Sequence, residues 1–180
     1  MRTSSRTLAA VAAVVAIAST SPLASAAPEP VYKQLRSDMT KKCADVERKS
    51  LGDGARVHQW RCFSSVEGPH QEWEMKDQGG DDFKFVNKNS GKCLDVYDRS
   101  LERGMQAIQW ACRSAGEPNQ RWHREWVDAS RGVFKLVNRN SGLCLDVERS
   151  SSEDGAHLHQ WDCIVNAPNQ NWVLKNANES

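Results

Sequence analysis

Three aspartates and three tryptophans recur at one separation. Asp45 and Trp60, Asp95 and Trp110, and Asp146 and Trp161 each lie 15 positions apart (60−45, 110−95, 161−146). A carboxylate accepts two hydrogen bonds at once, and a charged acceptor makes the stronger ones. An indole adds a broad flat apolar plate. A fixed register between the two is what a shallow pocket needs, and three equivalent pockets suit binding better than catalysis. His58, Ile108 and His159 stand two positions before the tryptophans. In an extended segment residues two apart face the same way, so His58 shares a face with Trp60 and His159 with Trp161.

These residues belong to a longer repeat, and a period of this size fixes the architecture. Each unit opens on Cys43-Ala44-Asp45-Val46, Cys93-Leu94-Asp95-Val96 or Cys144-Leu145-Asp146-Val147. Each continues to Gln59-Trp60-Arg61-Cys62, Gln109-Trp110-Ala111-Cys112 or Gln160-Trp161-Asp162-Cys163, and closes on Gln71-Glu72-Trp73, Gln120-Arg121-Trp122 or Gln170-Asn171-Trp172. The two cysteines of a unit are 19 positions apart each time (62−43, 112−93, 163−144). Six cysteines allow 15 pairings. The repeat selects Cys43–Cys62, Cys93–Cys112 and Cys144–Cys163, each closing a loop that stabilises by roughly 3 kcal/mol in the chain-entropy treatment. With no close Cys-x-x-Cys pair, the spacing argues against zinc.

The elements that must hold these groups read as strands and turns. Phe83-Lys84-Phe85-Val86-Asn87 and Phe134-Lys135-Leu136-Val137-Asn138 alternate apolar and polar residues, then enter Asn89-Ser90-Gly91 and Asn140-Ser141-Gly142. Alternation predicts half-buried strands and Asn-Ser-Gly predicts turns, so each pair with the following Cys-Leu-Asp-Val makes a hairpin. Val31 to Leu35 is a weaker copy, while Ala107 to Trp110 and Gln170 to Leu174 predict further strands. No segment keeps a helical period. Four strands in each of three units, over about residues 31–80, 81–130 and 131–176, predict an all-β closed fold with pseudo-threefold symmetry.

Composition sets the compartment and excludes several partners. Arg2 and Arg6, the apolar run Leu8 to Ala18 and Ala24-Ser25-Ala26 have the layout of a secretory leader over residues 1–26. The run is too short for a bilayer span of about 20 residues, so no membrane insertion is expected. Residues 27–180 form about one domain's length. Without Arg2 and Arg6 the chain has 22 basic (24−2) and 23 acidic side chains, a net charge near −1. No basic excess points to nucleic acid. Few aliphatic residues accompany the 7 tryptophans, and six cysteines in an exported chain imply a disulfide framework.

Cys-x-Asp-Val, Gln-Trp-x-Cys and Gln-x-Trp in three tandem copies, across residues 31–176, with Cys-Leu-Asp-Val and Asn-Gln-x-Trp in the second and third, resemble the ricin B-type lectin domain. That resemblance implies a β-trefoil, a module also found as a family 13-like carbohydrate-binding domain of secreted bacterial glycosidases. A sugar presents hydroxyls and an apolar C–H face. The resemblance places a hydroxyl-accepting carboxylate, an aromatic plate and a polar amide on the Asp, Trp and Asn of each unit. The third unit has Asp146, His159, Trp161, Asn169 and Gln170, with His159 where the family often has glutamine. The first has Asp45, His58, Trp60, His70 and Gln71, with His70 where asparagine is expected. The second keeps Asp95, Trp110, Asn119 and Gln120, but Ile108 in the hydroxyl-reading position cannot hydrogen-bond. The expected order of strength is third, first, second.

Other residues have plainer expectations. Trp73, Trp122 and Trp172 belong to the core, and Gln71, Gln120 and Gln170 hold the site from behind. The aspartates have turn capping as a rival role. Alternation sends Gln59, Gln109 and Gln160 inward, where a buried amide must be hydrogen-bonded; on a bulged strand they would face the ligand instead. His157-x-His159 places two imidazoles on one face without a third ligand, so no metal and no cofactor are expected. Trp126 has no assigned role. A glycosidase needs a pair of carboxylates about 5–10 Å apart, whereas the repeats supply one aspartate per site, and no Gly-x-Ser-x-Gly motif is present. The expected function is a secreted, non-catalytic lectin for galactose- or xylan-like glycans or polysaccharide. The alternative is a protein-interaction or toxin-targeting subunit of a larger secreted complex.

Overall fold

Alternating apolar residues and punctuating turns build twelve strands in a computed structural model that describes residues 29–114 and 116–179. The leader expected over residues 1–26 lies outside the described residues. The first unit contributes β1 (Tyr32–Ser37), β2 (Cys43–Val46), β3 (Val57–Trp60) and β4 (Glu72–Asp77). The second contributes β5 (Asp82–Asn87), β6 (Cys93–Val96), β7 (Ala107–Trp110) and β8 (Trp122–Asp128), and the third β9 (Val133–Asn138), β10 (Cys144–Val147), β11 (Leu158–Trp161) and β12 (Trp172–Lys175). Among the described residues the other regular elements are short 3₁₀ turns.

First and fourth strands of the units close a ring of antiparallel pairs, β1–β4–β5–β8–β9–β12 and back to β1. Second and third strands form the hairpins β2–β3, β6–β7 and β10–β11. Each hairpin joins the ring through one residue pair: Arg36 with Cys43, Val86 with Cys93, Val137 with Cys144. A six-stranded barrel with three hairpins is the β-trefoil. Asn87 and Asn138 fix two of the barrel-to-hairpin turns, their Oδ1 atoms accepting from the backbone N–H of Asn89 and Asn140 at 3.1 and 3.0 Å. Gly91 and Gly142 follow with φ of 68° and 70°, a conformation that glycine adopts without strain.

The core repeats by threes. Leu35, Phe85 and Leu136 are fully buried, as are Trp73, Trp122 and Trp172. Each of these indoles donates Nε1–H to the backbone carbonyl of Ala44, Leu94 or Leu145 at 3.0–3.1 Å, so a buried polar atom is satisfied where the apolar body packs. Cys43–Cys62, Cys93–Cys112 and Cys144–Cys163 are disulfide-bonded, each clamping one hairpin at its barrel end.

The fourth strand of the third unit begins at Trp172 rather than Gln170. Pro168–Gln170 form a 3₁₀ turn, as do Pro69–Gln71 and Pro118–Gln120. Proline pre-sets φ for such a turn and has no N–H to lose. The turn swings the glutamine side chain back under the hairpin, a direction that a continuous strand would not give.

Gln59, Gln109 and Gln160 are fully buried and seal the units to one another in a cycle. Gln109 Nε2 donates to the carbonyls of Ser50 and Gly52 in the first unit, and its Oε1 accepts from Ser90. Gln160 does the same with Ser100 and Glu102 of the second unit and Ser141, and Gln59 with Ser151 and Glu153 of the third and Thr40. Ion pairs flank these seams. Asp53 meets Lys92 at 2.7 Å and Asp154 meets Lys42, whereas at the remaining seam Arg103 reaches Asp162.

Candidate functional site

Hairpin register sets the site. Asp45 lies opposite His58, Asp95 opposite Ile108 and Asp146 opposite His159, so the carboxylate and the residue two before the tryptophan emerge side by side. The aspartates are only 3–4% exposed. A buried carboxylate is costly unless donors surround it, and side chains rather than turns supply them here. Asp146 Oδ1 is 3.0 Å from His159 Nε2, and its Oδ2 accepts from Asn169 and Gln170 at 2.8 Å each. Asp45 meets His58 at 3.0 Å, Gln71 at 2.6 Å and His70 at 3.1 Å. His70 therefore occupies the place that Asn169 takes in the third unit. Asp95 accepts from Asn119 and, at 2.7 Å, from Gln120, while Ile108 offers nothing.

That difference appears in the electrostatics. Burial pushes the Asp45 carboxyl upwards, but hydrogen bonds from His58, His70 and Gln71 outweigh it and hold the group below the ordinary carboxylate range. At Asp95 burial wins over the bonds from Gln120 and Asn119, and the pKa is raised.

The tryptophans stand above these floors. Trp161 is 39% exposed and Trp60 and Trp110 are half-buried. His58 stacks on Trp60 with centroids 5.4 Å apart, and His159 on Trp161 at 5.5 Å. The outer edge of each indole leans on a glycine of another unit. A Cβ added to Gly155, Gly54 or Gly104 would lie 3.6–3.7 Å from Cζ3 of Trp60, Trp110 or Trp161, and all three glycines have positive φ.

Gln71, Gln120 and Gln170 are fully buried behind the clefts. Each donates Nε2–H to its aspartate and to the carbonyl of Arg61, Ala111 or Asp162, while its Oε1 accepts from the N–H of Phe63, Arg113 or Ile164. A second buried set, Gln34, Lys84 and Lys135, donates to the carbonyls of the same Phe63, Arg113 and Ile164. The loop carrying one cleft wall is thus held from two sides.

One component carried no readable signal in the sequence. Beside each cleft a 3₁₀ turn, Glu47–Lys49, Tyr97–Arg99 or Glu148–Ser150, forms a lip. Arg48, Lys49, Asp98, Arg99, Arg149 and Ser150 in these turns all have φ between 50° and 56°. Left-handed non-glycine residues store strain and cluster at functional sites. Of the six, only Asp98 belongs to the types enriched in that conformation.

Each cleft gathers its predicted residues, with the glutamines behind: Asp45, His58, Trp60 and His70; Asp95, Ile108, Trp110 and Asn119; Asp146, His159, Trp161 and Asn169. Their volumes are about 350, 390 and 720 Å³ in that order. Wall residues account for the inequality. Phe63 narrows the first, and in the second Arg99 and Arg113 are drawn to Glu117, at 2.8 and 3.7 Å. Ile164 and Ala167 leave the third open. Trp126 lines none of the three, standing 45% exposed on β8 with the Arg124 guanidinium 4.3 Å from its ring centroid.

A family model described as ricin-type β-trefoil lectin domain-like matches residues 25–110 and 118–180. The chain belongs to that family. Within it, this ricin-type domain is 40% identical over 47 residues to beta-galactoside-specific lectin 2 of Viscum album, a match covering 26% of the chain and 8% of that lectin. Among solved structures it is similar to ThreeFoil, a designed threefold-symmetric protein, with a TM-score of 0.72 and 38% identity over 81% of this chain and 98% of ThreeFoil. It is equally similar in shape to the exo-β-1,3-galactanase 1,3Gal43A of Clostridium thermocellum, with a TM-score of 0.72 and 34% identity. That match covers 83% of this chain but 31% of the galactanase, so the ricin-type domain spans under a third of that enzyme.

Proposed function

We propose that this chain is a secreted, non-catalytic carbohydrate-binding protein that holds galactose- or xylan-like glycans in up to three shallow clefts. The observation that carries the reading is the repeated pairing of a hydrogen-bonded buried carboxylate with a solvent-facing indole, as in Asp146 beneath Trp161. The indole covers the apolar face of a sugar ring, the carboxylate accepts from hydroxyls, and Asn169, Asn119 or His70 and His159 or His58 add polar contacts. Gln71, Gln120 and Gln170 position the aspartates without touching ligand. Two relatives support a galactoside: the Viscum lectin is named for β-galactosides and the Clostridium enzyme for β-1,3-galactan. Three disulfides fit an oxidising compartment and support secretion.

The third cleft is the strongest, the first next and the second weakest. Ile108 removes one polar contact from the second, about 1 kcal/mol or several-fold in affinity. Single clefts bind weakly, and three on one rigid body gain by effective concentration on a polymer. Retention on immobilised galactan or xylan, with elution by the free sugar, tests the reading. Failure to bind either, together with specific capture of a protein partner, favours the interaction-module alternative. Release of reducing ends would overturn the non-catalytic part.

A further inference from the structure

The third cleft is close to twice the volume of the others and draws its walls from two units, with Gly104 and Gln106 of the second facing the residues of the third. Gln106 pairs antiparallel with His159, extending the binding surface past the hairpin edge. His157 is two positions before His159 and four before Trp161, so alternation turns all three the same way. At a strand rise of about 3.3 Å per residue, Trp161 to His157 is roughly 13 Å, longer than one pyranose ring.

Gln106 Nε2 lies 2.8 Å from His157 Nδ1. With the amide nitrogen donating, Nδ1 accepts and Nε2 is left to donate. The pair therefore offers the cleft a donor, His157 Nε2–H, and an acceptor, Gln106 Oε1, as vicinal hydroxyls require. The equivalent position in the first unit is Arg56, which lines none of the three clefts.

We infer that the third cleft is a two-part site for an oligosaccharide: one sugar sits on Asp146 and Trp161, and the next in the chain sits on Gln106 and His157. This rests on the carbohydrate reading above and specifies its ligand as an internal stretch or linked end of a chain rather than a lone monosaccharide. The other two clefts lack the second part.

Side-chain NMR of the intact oxidised protein tests it, using galactose and β-1,3-galactotriose, and xylose and xylotriose. The monosaccharide of the recognised pair shifts the Trp161 indole N–H, and its trisaccharide shifts the Gln106 amide and His157 ring as well. The trisaccharide binds at least about tenfold more tightly, the equivalent of one or two added hydrogen bonds. In a Gln106→Ala, His157→Ala variant that ratio falls towards one. Trp161 shifts from both ligand sizes, with Gln106 and His157 unmoved, would overturn the two-part site and leave the carbohydrate reading intact. No shift with any of the four sugars would overturn both.

Discussion

Replacing Gln109 by methionine keeps the reach of the buried side chain and deletes three hydrogen bonds: from Ser90 Oγ at 2.7 Å, to the Ser50 carbonyl at 2.8 Å and to the Gly52 carbonyl at 2.9 Å. The methionine reaches as far as the glutamine does, so the loss reports mainly polar satisfaction. Each net bond contributes about 1 kcal/mol, and a partner left dry costs more. Gly52 is exposed and its carbonyl regains water, while Ser50 is half-buried. The balance is a loss of about 2–3 kcal/mol. For a domain of this size each kcal/mol moves Tm by about 2–4 °C, giving a fall of about 4–12 °C. Calorimetry of the oxidised protein at neutral pH reads it. Because Gln109 grips the loop that follows the Glu47–Lys49 lip, the substitution in the second unit also loosens the first cleft. A Tm within 2 °C of wild type would refute the claim that these glutamines fasten the units together.

Further outcomes follow from the same geometry. Removing one disulfide by Cys93→Ala with Cys112→Ala costs about 3 kcal/mol, read as the free energy extrapolated from urea unfolding, with a larger m-value because the freed denatured chain exposes more surface. Trp122→Phe removes part of a fully buried ring and leaves the Leu94 carbonyl without its donor, lowering stability by at least about 1–3 kcal/mol; a neutral result would mean that this carbonyl is not dry and that the core closes over the gap. On acidification Asp95 takes up its proton above the ordinary value of 3.8 and Asp45 below it, an order that carboxyl-carbon NMR reads directly. Asp45, lowered on folding, contributes stability that is full above 3.8 and lost as pH falls through its folded value. Asp95, raised on folding, costs stability as pH rises from 3.8 through its folded value, so Asp45→Asn destabilises more than Asp95→Asn at pH 7. The reverse order of titration would contradict the site geometry.

Much of this was legible in the sequence because symmetry turned local patterns into tertiary ones. Three copies of a cysteine pair fixed the pairing, and strand alternation placed His58 on Trp60 and Gln59 inside. Other features depend on what alternation does not encode. The Pro168–Gln170 turn replaces the start of an expected strand. Left-handed Arg48 and Arg149 are set by the closed hairpin, not by intrinsic preference. The cyclic seams and the unequal clefts come from residues distant in sequence, such as Gly104 beneath Trp161 or Glu117 drawing in Arg99, whose meeting only the assembled barrel defines.

The central claim is that glycans bind where carboxylate and indole meet. Its most direct test is a broad glycan and polysaccharide panel probed with the oxidised protein beside a Trp60→Ala, Trp110→Ala, Trp161→Ala variant whose cooperative unfolding shows it to be folded. The account predicts binding that free sugar competes away and that the variant loses. Binding that survives in the variant, or none at all from the folded parent, would contradict it.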